Sequence, residues 1–140
     1  MLLVSPAVPR PVCVKIADDS HAVAVAQLGR QMGEALGFSA VQQTALATAI
    51  LEIARNIVKY AQQGEITLEV AHDGPRQGVR VTARDSGPGI NDVEQAMRDG
   101  FSTGRSLGLG LPGARRLMDT FTLTSQPGCG TTVVMTKWLA

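Results

Sequence analysis

Glu52 and Asn56 stand four positions apart in the stretch Glu52-Ile53-Ala54-Arg55-Asn56-Ile57-Val58-Lys59-Tyr60, where Leu46, Ala49, Ile50, Ile53, Ile57 and Tyr60 recur at helical spacing. At about 100° per residue the two polar side chains share one flank of that apolar stripe, at the rim of a core. A carboxamide oxygen there can ligate Mg²⁺, a hard cation that takes oxygen. A nearby carboxylate can take a proton from an attacking hydroxyl. Lys59 lies on the same flank and could meet a phosphate as a point charge. The same residues on a solvated face would do none of this, so the segment does not decide by itself.

Two more segments are rich in glycine. In Asp85-Ser86-Gly87-Pro88-Gly89-Ile90 a carboxylate ends a strand beside bare backbone. It could accept from an exocyclic amine such as adenine N6, with Gly87 and Gly89 letting a flat ring come close. An ordinary tight turn has the same composition. Gly104-Arg105-Ser106-Leu107-Gly108-Leu109-Gly110-Leu111 opens a helix, and Pro112 suits its first turn. Free N–H groups and the positive end of a helix dipole make an anion site there. Arg105 could add a charge-assisted bond to a terminal phosphate. The segment is no P-loop, because no Gly-Lys-Ser/Thr follows, and it lacks the strand-then-helix setting of a dinucleotide fold.

The elements that must hold these segments can be read in order. Val12-Cys13-Val14-Lys15-Ile16 is a short strand, and Asp18, Asp19 and Ser20 offer caps to a helix carrying Val25, Leu28, Met32, Ala35 and Leu36. Gly37 stops it. Ser39 to Gln42 forms a capping box for a second helix, expected to run to about Gln63 with Gly64 at its end. Ile66, Leu68 and Val70, then Val79, Val81 and Ala83, alternate with polar residues around Asp73-Gly74-Pro75, the pattern of a hairpin. A short helix is expected from Asn91 to Met97 and another around Pro112 to Asp119; Phe121 to Ser125 and Thr131 to Trp138 close the chain as a second hairpin. Grouped rather than alternating strands argue for an α+β fold: two layers, a mostly antiparallel mixed sheet with helices on one face.

The 140 residues give room for one domain, and 44% hydrophobic residues suffice for a core. Residues 12–140 read as that domain, with 1–11, containing Pro6, Pro9 and Pro11, as a loose arm and not a signal peptide. A net charge of +1, from 13 basic and 12 acidic residues, gives no electrostatic case for nucleic acid or a membrane as the main partner. No apolar run approaches the roughly 20 residues of a membrane helix. Cys13 and Cys129 lack zinc-type spacing and read as reduced structural thiols of a cytoplasmic protein. His21 and His72 fall outside all three segments.

Taken together and in this order, the three segments resemble those of the GHKL ATPase superfamily, which includes gyrase and the histidine kinases. Within it the chain is similar to the anti-sigma-factor serine/threonine kinases, above all the RsbT-type switch kinases of stressosome signalling. Arg115-Arg116-Leu117-Met118-Asp119, Gly130-Thr131-Thr132 and Lys137-Trp138 extend the likeness, which covers nearly everything from Val12 onward. The resemblance implies ATP and Mg²⁺ as cofactors and the Bergerat type of two-layer sandwich. It implies Glu52 as general base, Asn56 as Mg²⁺ ligand, and Lys59 and Tyr60 near the phosphates. Asp85 would read adenine, with Gly87, Gly89 and Ile90 beside the ring. Gly104, Arg105 and Ser106 would lie at the terminal phosphate, with Arg105 contributing to catalysis. The backbone of Leu107, Gly108, Leu109 and Gly110 would cradle the phosphates, and Thr131 would stand at the back of the adenine pocket. The implied substrate is a STAS-domain protein, and an implied second partner is a PP2C-type phosphatase. The lid between Ile90 and Gly108 is short, and no phospho-accepting histidine helix is present. An ATP-binding anti-sigma factor without kinase activity and a detached histidine-kinase domain stay open as alternatives, as does the oligomeric state.

Overall fold

The structure, a computed structural model, describes residues 10–89, 97 and 110–139. Strand β1 (Val12–Ile16) leads into helix α1 (Asp19–Leu36). Asp18 caps α1, its carboxylate accepting from the His21 N–H at 3.1 Å. The Ser20 hydroxyl, and then that N–H, hold the Asp18 carboxyl below the ordinary carboxylate range. Gly37 ends the helix in the left-handed region at φ 98°. Helix α2 (Ala40–Asn56) opens with the expected capping box: the Gln42 N–H donates to Ser39 Oγ at 3.1 Å, and the Ser39 N–H donates to Gln42 Oε1 at 3.0 Å.

The second helix departs from expectation at its end. Regular α geometry stops at Asn56, and Ile57–Ala61 continue as a π-turn. Its i→i+5 bonding takes more residues per turn, so the residues after Asn56 fall out of phase with the apolar stripe. Tyr60 is therefore 49% exposed rather than part of the core. Gln62 takes a positive φ of 69°, and Gly64 belongs to the next strand instead of capping the helix. Ala35 is exposed as well, while Gly29 and Gly33 of α1 are buried. Cys13 and Cys129 are both free and both exposed, so neither serves the core.

Strands β2 (Gly64–Asp73) and β3 (Arg76–Asp85) form the first hairpin, and β4 (Thr120–Gln126) and β5 (Gly130–Trp138) the second. Between the hairpins the described chain contains helix α3 (Gly110–Leu117), and residues 91–96 of the expected short helix lie outside the described residues. The sheet order is β1-β2-β3-β5-β4, and all four pairings are antiparallel. The expected α+β fold with a mostly antiparallel sheet is thus observed. Ile66, Leu68, Val79, Val81, Ala83, Val133 and Met135 point to one face and are buried against Val25, Leu46, Ile50, Ile53 and Ile57 of the helical layer. Each such Val, Leu, Ile or Met side chain taken out of water is worth roughly 1.5–3 kcal/mol, which is what holds the two layers together. The opposite face carries Glu69 and Arg80, whose charged groups approach to 3.8 Å. No helix among the described residues is long and apolar enough to cross a membrane.

Candidate active site

The register of the sheet lines up one row at the end where α2 finishes. Gly64 pairs with Asp85, Asp85 with Thr131, and Thr131 with Ser125, across β2, β3, β5 and β4. Asp85 shares the parity of the buried Ala83 and Val81, so its side chain lies on the helix-bearing face. Its Oδ1 accepts from the Gly87 N–H at 3.0 Å and from the Thr131 N–H at 3.3 Å. Those two bonds fix the carboxylate and leave Oδ2 as the acceptor without a partner among the described residues.

The turn after Asp85 is pinned from two sides. The Gly128 N–H donates to the Pro88 carbonyl at 2.7 Å, which ties the turn to the β4–β5 hairpin. On the other side Gly87 abuts the π-turn: a Cβ there would sit 2.6 Å from Ala61 Cβ. Gly64, with no side chain, leaves room for Ile57 Cγ2 and Asp85 Cβ, which would lie 2.9 and 3.1 Å from a Cβ at that position. The end of α2 and the Asp85 turn therefore meet directly.

Glu52 joins the third segment to the same place. It is 7% exposed, the one buried charged residue among those described. Burying a carboxylate is costly unless its oxygens find donors. Oε2 accepts from the Gly110 N–H at 3.2 Å, at the first residue of α3, where unpaired N–H groups and the dipole favour a negative charge. Gly110 takes φ 63°, and Pro112 lies in the first turn of α3 as expected. One helical turn beyond Glu52, Asn56 Nδ2 is buried with no hydrogen-bond partner among the described residues. Lys59 is exposed, with its Nζ 5.1 Å from the centroid of the Tyr60 ring.

The structure thus brings Glu52, Asn56, Asp85, Gly87, Gly89, Gly110 and Thr131 to one end of the sandwich. Lys59 and Tyr60 stand at its exposed margin. Ile90, Gly104, Arg105, Ser106, Leu107, Gly108 and Leu109 lie outside the described residues. Chemically, the described part offers a fixed carboxylate acceptor, an unmet amide donor, and a carboxylate beside a helix N-terminus. The described residues contain no group of three or more His, Cys, Asp or Glu side chains that could hold a metal ion. A cation here would have one side-chain oxygen from Asn56 and would need the rest from phosphate and water, as Mg²⁺ commonly does with nucleotides. Ser125, the last member of the row, was not singled out by the sequence, because a lone serine in a Thr/Ser-rich strand carries no signal until register is known.

A family model described as histidine kinase-, DNA gyrase B-, and HSP90-like ATPase matches residues 41–140. The chain is 48% identical over 127 residues to serine/threonine-protein kinase RsbT of Bacillus subtilis (strain 168), covering 91% of this chain and 96% of that one. It is 34% identical over 103 residues to an anti-sigma F factor of Halalkalibacterium halodurans, covering 70% of each chain. Among solved structures, the RsbU and RsbW domains of Rv1364c from Mycobacterium tuberculosis match with a TM-score of 0.65 at 20% identity, over 92% of this chain and 32% of that one. The mycobacterial sensor histidine kinase MprB matches with a TM-score of 0.53 at 15% identity, over 92% of this chain and 96% of that one. At such identities the two structures speak to the fold alone. The family match over residues 41–140 and the near full-length likeness to a curated relative lead to one assignment: the chain belongs to the histidine kinase-, DNA gyrase B- and HSP90-like ATPases.

Proposed function

We propose that this protein is an ATP-dependent serine/threonine kinase that phosphorylates a STAS-domain protein in a partner-switching system. The observation that carries the reading is the pairing, on one helix, of a buried carboxylate at Glu52 with a buried amide donor at Asn56 that no described residue satisfies. A folded protein seldom leaves such a donor unmet unless a ligand meets it. The 48% identity to a serine/threonine-protein kinase supports the reading.

In this proposal residues 12–140 form one nucleotide-binding domain and 1–11 an arm, in a cytoplasmic protein. Asp85 Oδ2 accepts from the adenine amine, and Gly87, Gly89 and Ile90 leave room for the ring. Thr131 closes the back of that pocket. The backbone from Leu107 to Gly110 cradles the phosphates, and Gly104, Arg105 and Ser106 reach the terminal one, where the Arg105 guanidinium offsets charge. Lys59 and Tyr60 flank the phosphates from α2. Asn56 would hold Mg²⁺ through its side-chain oxygen, and the cation would supply further charge neutralisation, the main requirement of phosphoryl transfer. Glu52 orients the incoming hydroxyl and takes its proton. Once the substrate is phosphorylated and releases the kinase, the freed kinase engages a PP2C-type phosphatase.

The test is transfer from radiolabelled ATP to a purified STAS-domain protein. The expected product is an acid-stable phosphoserine or phosphothreonine. An acid-labile product would mean a histidine kinase instead. The 34% identity to an anti-sigma F factor favours one second reading, an ATP-dependent anti-sigma factor. ATP-dependent binding of a sigma factor with no transfer to any STAS protein would select it.

A further inference from the structure

The outer side of the α1–α2 pair, turned away from the sheet, carries a groove of about 220 Å³. Leu46, Ile50 and Ile53 of α2 are buried toward the sheet, which puts Thr44, Ala47 and Leu51 on the opposite side of that helix as one wall. Val23, Ala26 and Arg30 of α1 form the other. The helices run in opposite directions, and Arg30 Nη2 donates to Thr44 Oγ1 across the groove at 3.3 Å. Wall residues recur every three or four positions, the ridge spacing against which a further helix packs, and two alanines let its backbone come close. From Val23 to Arg30 the groove is about 10 Å long, two turns of such a helix. Val23 is 57% exposed, and Val41, three positions before Thr44, is 80% exposed. They are two of the three exposed large apolar residues among those described, and the third, Tyr60, belongs to the margin of the site.

Charge decides which helix fits. Arg30 is the one charged residue lining the groove, and Arg55 continues the α2 wall one turn beyond Leu51. Neither takes part in the ion pairs found among the described residues. The one carboxylate of α2, Glu52, is buried, and Asp19 and Glu34 of α1 stand beyond the two ends of the groove. We infer that this groove is a docking surface for an amphipathic helix of a partner protein, apolar at i, i+4 and i+7 and acidic beside that stripe. Arg30 is level with Thr44, eleven positions before Arg55, so two carboxylates about 16 Å apart along the partner helix would meet both guanidinium groups. Leu51 and Arg55 stand on the far side of α2 from the sheet, so the docked helix leans on the back of the helix that carries Glu52 and Asn56. It leaves the nucleotide side open, and the inference does not depend on the nucleotide reading.

The test is fluorescence anisotropy on the full chain without nucleotide. The probe is a labelled synthetic peptide of about 20 residues, long enough to be helical alone, with Leu at those three positions and two Glu eleven apart. A control peptide carries Lys in place of each Glu. Wild type should bind the acidic peptide about tenfold more tightly than the control, the size of two exposed ion pairs gained against two repulsions. Arg30→Glu should bring the two affinities close together. Val23→Asp, at an exposed position, should weaken both by at least about fivefold with an unchanged melting temperature. Both variants should bind Mg²⁺-ATP as wild type does. Wild type that binds neither peptide, or both equally, overturns the inference, and so does an undiminished preference in Arg30→Glu. A wild-type dimer in sedimentation that Val23→Asp splits would give the groove to a second copy of this chain and overturn it as well. Each of these failures leaves the nucleotide reading untouched.

Discussion

Glu52 Oε2 accepts the backbone N–H of Gly110 at 3.2 Å, so the carboxylate proposed as base also fastens the first residue of α3 to α2. The two roles separate on substitution. Glu52→Gln keeps a carbonyl oxygen that can accept from Gly110 but holds no proton acceptor of carboxylate strength. Its melting temperature should stay within a few degrees of wild type, while transfer to the protein substrate falls by about 100-fold or more. Glu52→Ala loses the acceptor too and leaves the half-buried Gly110 N–H unmet, so it should also lose about 1–3 kcal/mol of stability. Thermal melts and a phosphotransfer assay read both effects. A Gln variant that transfers at the wild-type rate removes Glu52 from the chemistry.

Asp85→Asn makes a similar separation at the other end of the site. The asparagine oxygen can still accept from the Gly87 and Thr131 N–H groups, so the turn should keep its shape. The free position, however, changes from an acceptor to an N–H₂ donor facing an amine. ATP affinity should fall by roughly 10- to 150-fold, the equivalent of about 1.5–3 kcal/mol for a lost charged hydrogen bond. Calorimetry decides, and unchanged affinity would remove Asp85 from base recognition.

How much of the molecule is legible in its sequence depends on the range of the interaction. The capping box at Ser39 and Gln42, the left-handed cap at Gly37 and both hairpins are local, written in residues a few positions apart, and all are found as expected. The meeting of separated segments at one end of the sandwich is legible too, because their order resembles a known arrangement. The π-turn is not legible: Ile57-Val58-Lys59-Tyr60-Ala61 carries no residue that demands i→i+5 bonding. What accompanies it is tertiary, namely Ile57 seated over Gly64 and Ala61 against Gly87. That one shift moves Tyr60 from the expected core to the surface. Ser125 escapes for a related reason, since only strand register brings it to Thr131 and Asp85.

Asn56 yields a prediction that separates the free state from the nucleotide-bound one. Its Nδ2 makes no hydrogen bond with the described residues, so Asn56→Ala should cost the free protein little, within about 1 kcal/mol, and leave its melting temperature nearly unchanged. A ligand that binds only the folded state raises the melting temperature by an amount that grows with the logarithm of its concentration over its dissociation constant. For wild type that rise should be larger with Mg²⁺-ATP than with ATP and excess chelator. In Asn56→Ala the two rises should become equal. Retained Mg²⁺ dependence would assign the cation to another residue.

Gly130 and Gly128 separate backbone strain from packing within one hairpin. Both take positive φ, 91° and 79°, a region that costs a residue with a Cβ roughly 1–2 kcal/mol. Gly128 faces open space, so Gly128→Ala should cost about that and no more. At Gly130 a Cβ would also run into the carbonyl oxygen of Asp85 and crowd Ser86 Cα. That clash is with backbone, which cannot swing away as a side chain can. Gly130→Ala should therefore be the more destabilising of the two by at least about 1–3 kcal/mol in urea unfolding, the range found for overpacked sites. It should also weaken ATP binding, because the displaced strand carries Thr131 away from Asp85, whereas Gly128→Ala should leave affinity within a factor of about two. Equal costs for the two substitutions, with equal affinities, would mean that the hairpin does not press on Asp85, and the row from Gly64 to Ser125 could not then act as one wall.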